Sequence, residues 1–202
     1  MQVYVIDDEE ALRDSLSWLL ESRDLKCDCF ASGESFLAAL PVLPQDTASC
    51  IILDIRMGAG MSGIELFQRI PEVAHQWPVI FLSGHGDIAL AVTAVKQGAF
   101  DFLEKPFADN QLVDRVFEAI ALSRQRQTNA SQSEVIRDRL NQLSPRELDV
   151  MEGILNGKAN RDIAIDLEMA VRTVEVHRAS IFKKMGVKGA VELINLLQVL
   201  EV

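Results

Sequence analysis

The sequence predicts two domains of different class: a doubly wound α/β domain around a five-stranded parallel sheet, then an all-α domain of four helices. Three observations carry this reading. Short apolar runs alternate with amphipathic helical patterns across residues 1–120. A polar stretch without apolar periodicity starts at Ser123, and strand signals stop beyond it. Charge divides in the same way: residues 1–137 hold 11 Lys+Arg against 20 Asp+Glu, whereas residues 138–202 hold 9 against 10, within a formal net charge of -10.

The strand candidates are Val3–Ile6, Lys26–Phe30, Cys50–Leu53, Val79–Leu82 and Phe100–Leu103, each bounded by Asp, Gly, Ser or Pro. A helical pattern follows each one. The clearest is Glu10–Ser22, with Leu12, Leu16, Leu19 and Leu20 on one face. Strands joined through helices run parallel and are covered on both faces, so they are apolar along their length. The doubly wound order 2-1-3-4-5 sets strands 1 and 3 side by side, with sites at the carboxyl ends of the strands. Residues 123–140 are expected to be a linker, into which the last helix of the first domain can run, separating a domain at 1–122 from one at 141–202. Ser144 as N-cap, Pro145 at the first helical position and Glu147 at the third start a helix that runs to Asn156, with Gly157 as its stop. Further helices are predicted over Asn160–Leu167, Val171–Met185 and Ala190–Leu200.

Some classes are excluded. An apolar run of about eighteen residues, the length of a membrane span, is missing. The start, Met1-Gln2-Val3-Tyr4-Val5-Ile6-Asp7-Asp8, has no cationic region and does not read as a signal peptide, so a cytoplasmic location is expected. Cys27, Cys29 and Cys50 cannot all pair with one another, and their apolar strand-like settings predict buried, reduced thiols.

Asp7 and Asp8 follow the first strand and Asp54 follows the third, so the strand order brings three acids together. Gathered like charges are unfavourable unless a cation neutralises them. An oxygen-only ligand set suits Mg²⁺. Ser83 follows the fourth strand and Lys105 the fifth, and both reach the same edge. These are the groups that a phosphoryl group on Asp54 requires: a metal ion and an ammonium against its oxygens, and a hydroxyl that donates to it. A single aspartate after a strand is usually a turn residue or helix cap. Five such positions at four strand ends point to one site.

Residues 1–120 resemble a response-regulator receiver domain. The matching runs are Val5-Ile6-Asp7-Asp8-Glu9, Ile51-Ile52-Leu53-Asp54-Ile55-Arg56-Met57, Met61-Ser62-Gly63, Val79-Ile80-Phe81-Leu82-Ser83 and Phe102-Leu103-Glu104-Lys105-Pro106-Phe107. The resemblance implies that Asp54 is the phosphoacceptor. It implies Mg²⁺ ligation by Asp8 and Asp54, by Asp7 mainly through water and by the Arg56 carbonyl. It makes Ser83 and Phe102 a coupled switch pair, and it implies a cis bond before Pro106. The family pattern Met-Pro-x-Met-x-Gly is not kept: here the run is Met57-Gly58-Ala59-Gly60-Met61-Ser62-Gly63, one residue longer and without the proline.

The helix over Val171–Met185 has two faces. At about 100° per residue, Val174, His177, Ile181 and Met185 share one side, while Arg172, Val176, Ala179 and Lys183 lie opposite with Glu175 on the flank. Residues 172–188 carry five cations against one anion. Small and cationic side chains on one face suit a helix in the DNA major groove, although a solvated amphipathic helix looks similar. Residues 143–200 resemble a LuxR-type helix-turn-helix domain through Leu143-Ser144-Pro145-Arg146-Glu147, Gly157, Asn160-Arg161-Asp162-Ile163-Ala164, Leu167, Arg172–Ala179 and Lys184-Met185. By that resemblance Thr173–Met185 is the recognition helix. Glu175, Val176 and Ala179 are then expected toward bases, Arg172, Thr173, Lys183 and Lys184 toward phosphates, and Arg178 within the DNA-binding set. Ala170 stands where the family often has a capping Ser or Thr.

Together the two resemblances identify a FixJ-like response regulator. They imply a sensor histidine kinase as phosphoryl donor, double-stranded promoter DNA and RNA polymerase as partners, and homodimerisation on phosphorylation. The face formed by Ile88–Gln97, the fifth strand and Ala108–Ala121 would be the one that responds. A haloacid-dehalogenase-type phosphatase would need an Asp-x-Asp nucleophile motif and a cap insertion, yet here the strand-1 acids are adjacent. A protein-binding adaptor would lack salt-sensitive DNA retention.

Overall fold

The computed structural model describes residues 1–58, 60–70, 76–84, 88–198 and 200. Ala59, in the glycine-bearing loop, and Val199, in the last predicted helix, lie outside the described residues. The described chain divides into two units, Met1–Gln127 and Thr128–Val202.

In the first unit the order is β1 (Gln2–Ile6), α1 (Glu10–Glu21), β2 (Lys26–Phe30), α2 (Gly33–Ala39), β3 (Ser49–Asp54), α3 (Gly63–Arg69), β4 (Val79–Ser83), α4 (Ile88–Lys96) and β5 (Asp101–Glu104). α5 (Asp109–Asn141) follows. All strands are parallel in the order β2-β1-β3-β4-β5, as the sequence predicts. Side chains alternate between the two sheet faces. Val3, Val5, Cys50, Ile52, Ile80 and Leu82 meet Leu16 and Leu20 of α1 and Leu112, Val116 and Ile120 of α5. Tyr4, Ile6, Ile51, Leu53, Val79 and Phe81 meet Phe36 of α2, Leu66 of α3 and Ala94 of α4. Each buried side chain of this size contributes about 1.5–3 kcal/mol, so both faces hold the strand ends in place.

The second unit contains α6 (Pro145–Leu155), α7 (Asn160–Asp166), α8 (Val171–Met185) and α9 (Ala190–Gln198). Its core includes Val150, Ile154, Ile163, Val174, Ile181, Met185 and Leu193, with Ile136 of α5 buried among them. The Ser144 capping box forms as its spacing predicts. Gly157 and Gly186 both take φ of 71°, the left-handed conformation that ends a helix. Gly153 has another role: a Cβ there would come within 2.7 Å of Ile163, so glycine permits the close approach of α6 and α7.

α5 runs on through Ser123–Leu140, so the stretch between the two units is helical. Within it Ser123 is buried and its hydroxyl accepts the Ser49 N–H at 3.1 Å, while Ile136 joins the second core. One expectation needs correction. Of the cysteines only Cys50 is buried; Cys27 is half-buried and Cys29 exposed, because β2 lies at the sheet edge.

Candidate functional site

Register assembles the first site. Ile6 pairs with Leu53, so Asp7 leaves β1 beside Asp54 at the end of β3. Ser83 pairs with Glu104, which brings Lys105 to the same edge. Asp7 and Asp54 are buried and Asp8 is exposed, and each offers a carboxylate oxygen within 4.8 Å of the others. The Lys105 Nζ lies 2.9 Å from Asp7 Oδ2 and 3.0 Å from Asp54 Oδ1. The Lys105–Pro106 bond is cis.

Local bonds fix the acids. Asp7 Oδ1 accepts the Glu9 N–H at 2.8 Å, and its carbonyl accepts from Arg13 Nη1 at 2.8 Å. Asp8 Oδ2 accepts the Gly58 N–H at 3.0 Å. A Cβ at Gly58 would stand 2.9 Å from the same oxygen, so glycine leaves room for the Asp8 carboxylate. Met61 N–H donates to Glu34 at 2.9 Å, which ties the loop after β3 to the start of α2. Gly63 is sterically required, since a Cβ would collide with the Asp54 carbonyl.

Electrostatics follow from this packing. Burial pushes the Asp54 carboxyl above the ordinary carboxylate value; Lys105 opposes the rise and the charges of Asp7 and Asp8 add to it. Burial pulls the Lys105 ammonium down, but its hydrogen bonds and charge pairing with Asp7 and Asp54 outweigh that and raise it overall. The site thus holds an excess of negative charge that one lysine only partly offsets. The oxygen-only donor set fits a hard divalent cation. Ser83 is buried, and its hydroxyl donates to the Leu103 carbonyl at 3.3 Å, a long bond for O–H···O. Phe102 is half-buried against the core, and Arg56 is exposed.

The second candidate surface lies on α8. Val174, Ile181 and Met185 are buried, and His177 is half-buried. Arg172, Thr173, Glu175, Val176, Ala179 and Lys183 are exposed together. Arg172 pairs with Glu175 at 3.5 Å, and Arg178 sits over the Phe182 ring at 5.4 Å. Lys184 is placed differently from Lys183: its Nζ lies 2.7 Å from Glu147 Oε2 and 3.0 Å from the Gln142 carbonyl. Ala170 caps α8 without a side-chain hydrogen bond.

Glu147 is the residue whose reach the sequence reading missed. The capping box was legible, but the same carboxylate also accepts from Ser180 at 2.6 Å and Lys184 at 2.7 Å, joining α6 to α8. These bonds hold its carboxyl down at about 2. Arg139 was also missed; its Nη1 donates to the Met185 carbonyl at 2.7 Å, where α8 ends.

Comparison with known proteins agrees with this geometry. Residues 3–117 match the family model of the response regulator receiver domain, and residues 141–197 match that of bacterial regulatory proteins of the luxR family. The transcriptional regulatory protein FixJ of Bradyrhizobium diazoefficiens is 41% identical over 194 residues, covering 96% of this chain and 93% of that protein. The C4-dicarboxylate transport transcriptional regulatory protein DctR of Rhodobacter capsulatus is 44% identical over 194 residues, covering 95% and 96%. Among solved structures, response regulator StyR superposes with a TM-score of 0.82 at 32% identity, covering 98% of each chain. Full-length FixJ from B. japonicum gives 0.60 at 40% identity, covering 99% of this chain and 97% of that one.

Proposed function

The chain belongs to the two-component response regulators that join a receiver domain to a LuxR-type DNA-binding domain, and from that premise we propose that a sensor histidine kinase phosphorylates Asp54 and that the second unit then binds promoter DNA. The observation that carries the reading is the Lys105 ammonium held within 3.0 Å of both Asp7 and Asp54, beside the exposed Asp8. In this reading Mg²⁺ is held by Asp8, Asp54 and the Arg56 carbonyl, with Asp7 acting mainly through water. When bound, it would neutralise negative charge on the oxygens of the transferring group.

The nucleophile is an ionised carboxylate oxygen of Asp54. The P–N bond of the kinase phosphohistidine breaks as the P–O bond to Asp54 forms, and the imidazole keeps the electron pair. Lys105 keeps Asp54 ionised against the effect of burial and then pairs with a phosphoryl oxygen. The Ser83 hydroxyl would surrender its long bond to the Leu103 carbonyl, which costs little, in turning to the phosphoryl group. Phe102 follows into the space that Ser83 leaves.

That change acts on the α4–β5–α5 face, where Leu90, Val92, Val95 and Phe117 are partly exposed. Dimerisation through it would pair two α8 helices for two half-sites, with RNA polymerase as the partner at the promoter. Phosphorylation shifts this equilibrium only by the difference in its interaction energy between the two states. Arg172, Thr173, Arg178 and Lys183 then meet phosphates while Glu175, Val176 and Ala179 face bases; Lys184 takes part mainly through Glu147. No helix among the described residues is long and apolar enough to cross a membrane, and we place the protein's action in the cytoplasm, as a regulator rather than an enzyme.

The test is DNA retention by the whole chain after treatment with an acyl phosphate and Mg²⁺. Retention should rise on treatment, fall with added salt and be unaffected by treatment in Asp54→Asn. Turnover of phosphate esters, or a salt-insensitive protein partner with no DNA retention, would refute the reading.

A further inference from the structure

Outside the acidic cup, two thiols share one face of β2. Cys27 and Cys29 are two residues apart, so both side chains point to the α1 side of this edge strand. Their sulfurs are 3.8 Å apart. Cys29 is exposed, Cys27 is half-buried, and Cys29 Sγ also approaches the Arg13 carbonyl at 3.7 Å. Ser17 and Glu21 lie alongside, bonded to each other at 3.2 Å. Nothing in the phosphoryl or DNA chemistry uses this pair.

Geometry separates two uses of such a pair. A disulfide requires Cβ atoms about 3.8 Å apart. Residues i and i+2 of a strand are separated by roughly 6.6 Å, so closing that bond would buckle β2. A metal ion between the sulfurs asks for less: at roughly 2.3 Å per metal–sulfur bond, a two-coordinate bridge spans about 4.6 Å. Opening the sulfurs from 3.8 Å to that span needs only side-chain rotation. Thiolate pairs select soft ions, whereas Zn²⁺ wants two further ligands.

We propose that Cys27 and Cys29 form a two-sulfur site for a soft monovalent metal ion of the Cu⁺ or Ag⁺ class. Binding is an exchange of ligands without redox change: one M⁺ and two thiols give the bis-thiolate M(SR)₂⁻ and two protons. Burial raises both thiols, so they are protonated until the metal displaces the protons. Arg13 lies between this pair and the acidic cup: its carbonyl meets Cys29 and its side chain holds the Asp7 carbonyl.

The test is an anaerobic titration of the full chain with Cu⁺ held by bicinchoninate, following loss of the chelate colour. One Cu⁺ per chain should transfer, and Cys27→Ser or Cys29→Ser should weaken binding about 100-fold or more, because the second sulfur then no longer adds its local concentration. Cys50→Ser should leave binding unchanged. On the unmodified chain, Ag⁺ should protect Cys27 and Cys29 together from maleimide, which tests the site without any variant. Binding that survives Cys29→Ser, equal competition by Zn²⁺, or protection of Cys29 alone would overturn the proposal.

Discussion

Replacing Glu147 with glutamine tests how the second unit holds α8. The carboxylate is 5% exposed and accepts from Ser144 N–H at 2.7 Å, Ser180 at 2.6 Å and Lys184 at 2.7 Å. Glutamine keeps the size but loses the charge, so hydrogen bonds worth about 1.5–3 kcal/mol each when charge-assisted become ordinary ones. A carboxyl held at about 2 instead of 4.5 corresponds to roughly 3 kcal/mol of linkage. Because Lys184 is 34% exposed, solvent screening lowers the expected loss to about 2 kcal/mol. The assay is urea unfolding of the second unit within the full chain, for Glu147→Gln, Lys184→Met and the double variant. The pH dependence has a definite sign. A depressed carboxyl stabilises above its unfolded value and loses that contribution as pH falls through the folded one. The advantage of the unmodified chain over Glu147→Gln should therefore be full above pH 5 and shrink between about 4.5 and about 2. A Glu147–Lys184 coupling energy below about 0.3 kcal/mol, or an advantage independent of pH over that window, would refute the reasoning.

Other perturbations have equally specific outcomes. Gly58→Ala should lower Mg²⁺ affinity about 10-fold by calorimetric titration, because its Cβ would press on the Asp8 oxygen from 2.9 Å; unchanged affinity would refute this role of Gly58. Lys183→Ala should reduce the salt slope of DNA binding by about 1, whereas Lys184→Ala should leave the slope nearly unchanged while destabilising the unit, since its ammonium is held by Glu147. Equal slopes for the two variants would remove the distinction between these neighbouring lysines.

The fold was legible because both of its periods are written plainly. Continuous apolar strands, such as Cys50-Ile51-Ile52-Leu53, require cover on both faces, and one parallel order then gathers Asp7, Asp54, Ser83 and Lys105. What stayed hidden depended on partners distant in sequence. Ser123 reads as linker until Ser49 supplies its buried partner, and Glu147 reads as a local cap until Ser180 and Lys184 arrive from α8. Cys27 and Cys29 read as buried from their apolar strand setting, although the predicted strand order already sets that strand at the sheet edge, where cover is incomplete. The role of Gly58 was hidden for the opposite reason: the residue lacks a side chain, and only the Asp8 oxygen beside its N–H shows what that absence permits.

Peptide mapping of the acid-labile phosphoryl group, after incubating the chain with acetyl phosphate and Mg²⁺, bears most directly on the account. One phosphoryl group should be found, on the peptide that holds Asp54, and chelating the metal should prevent it. A phosphoryl group on any other residue, or full modification of Asp54→Ala, would contradict it.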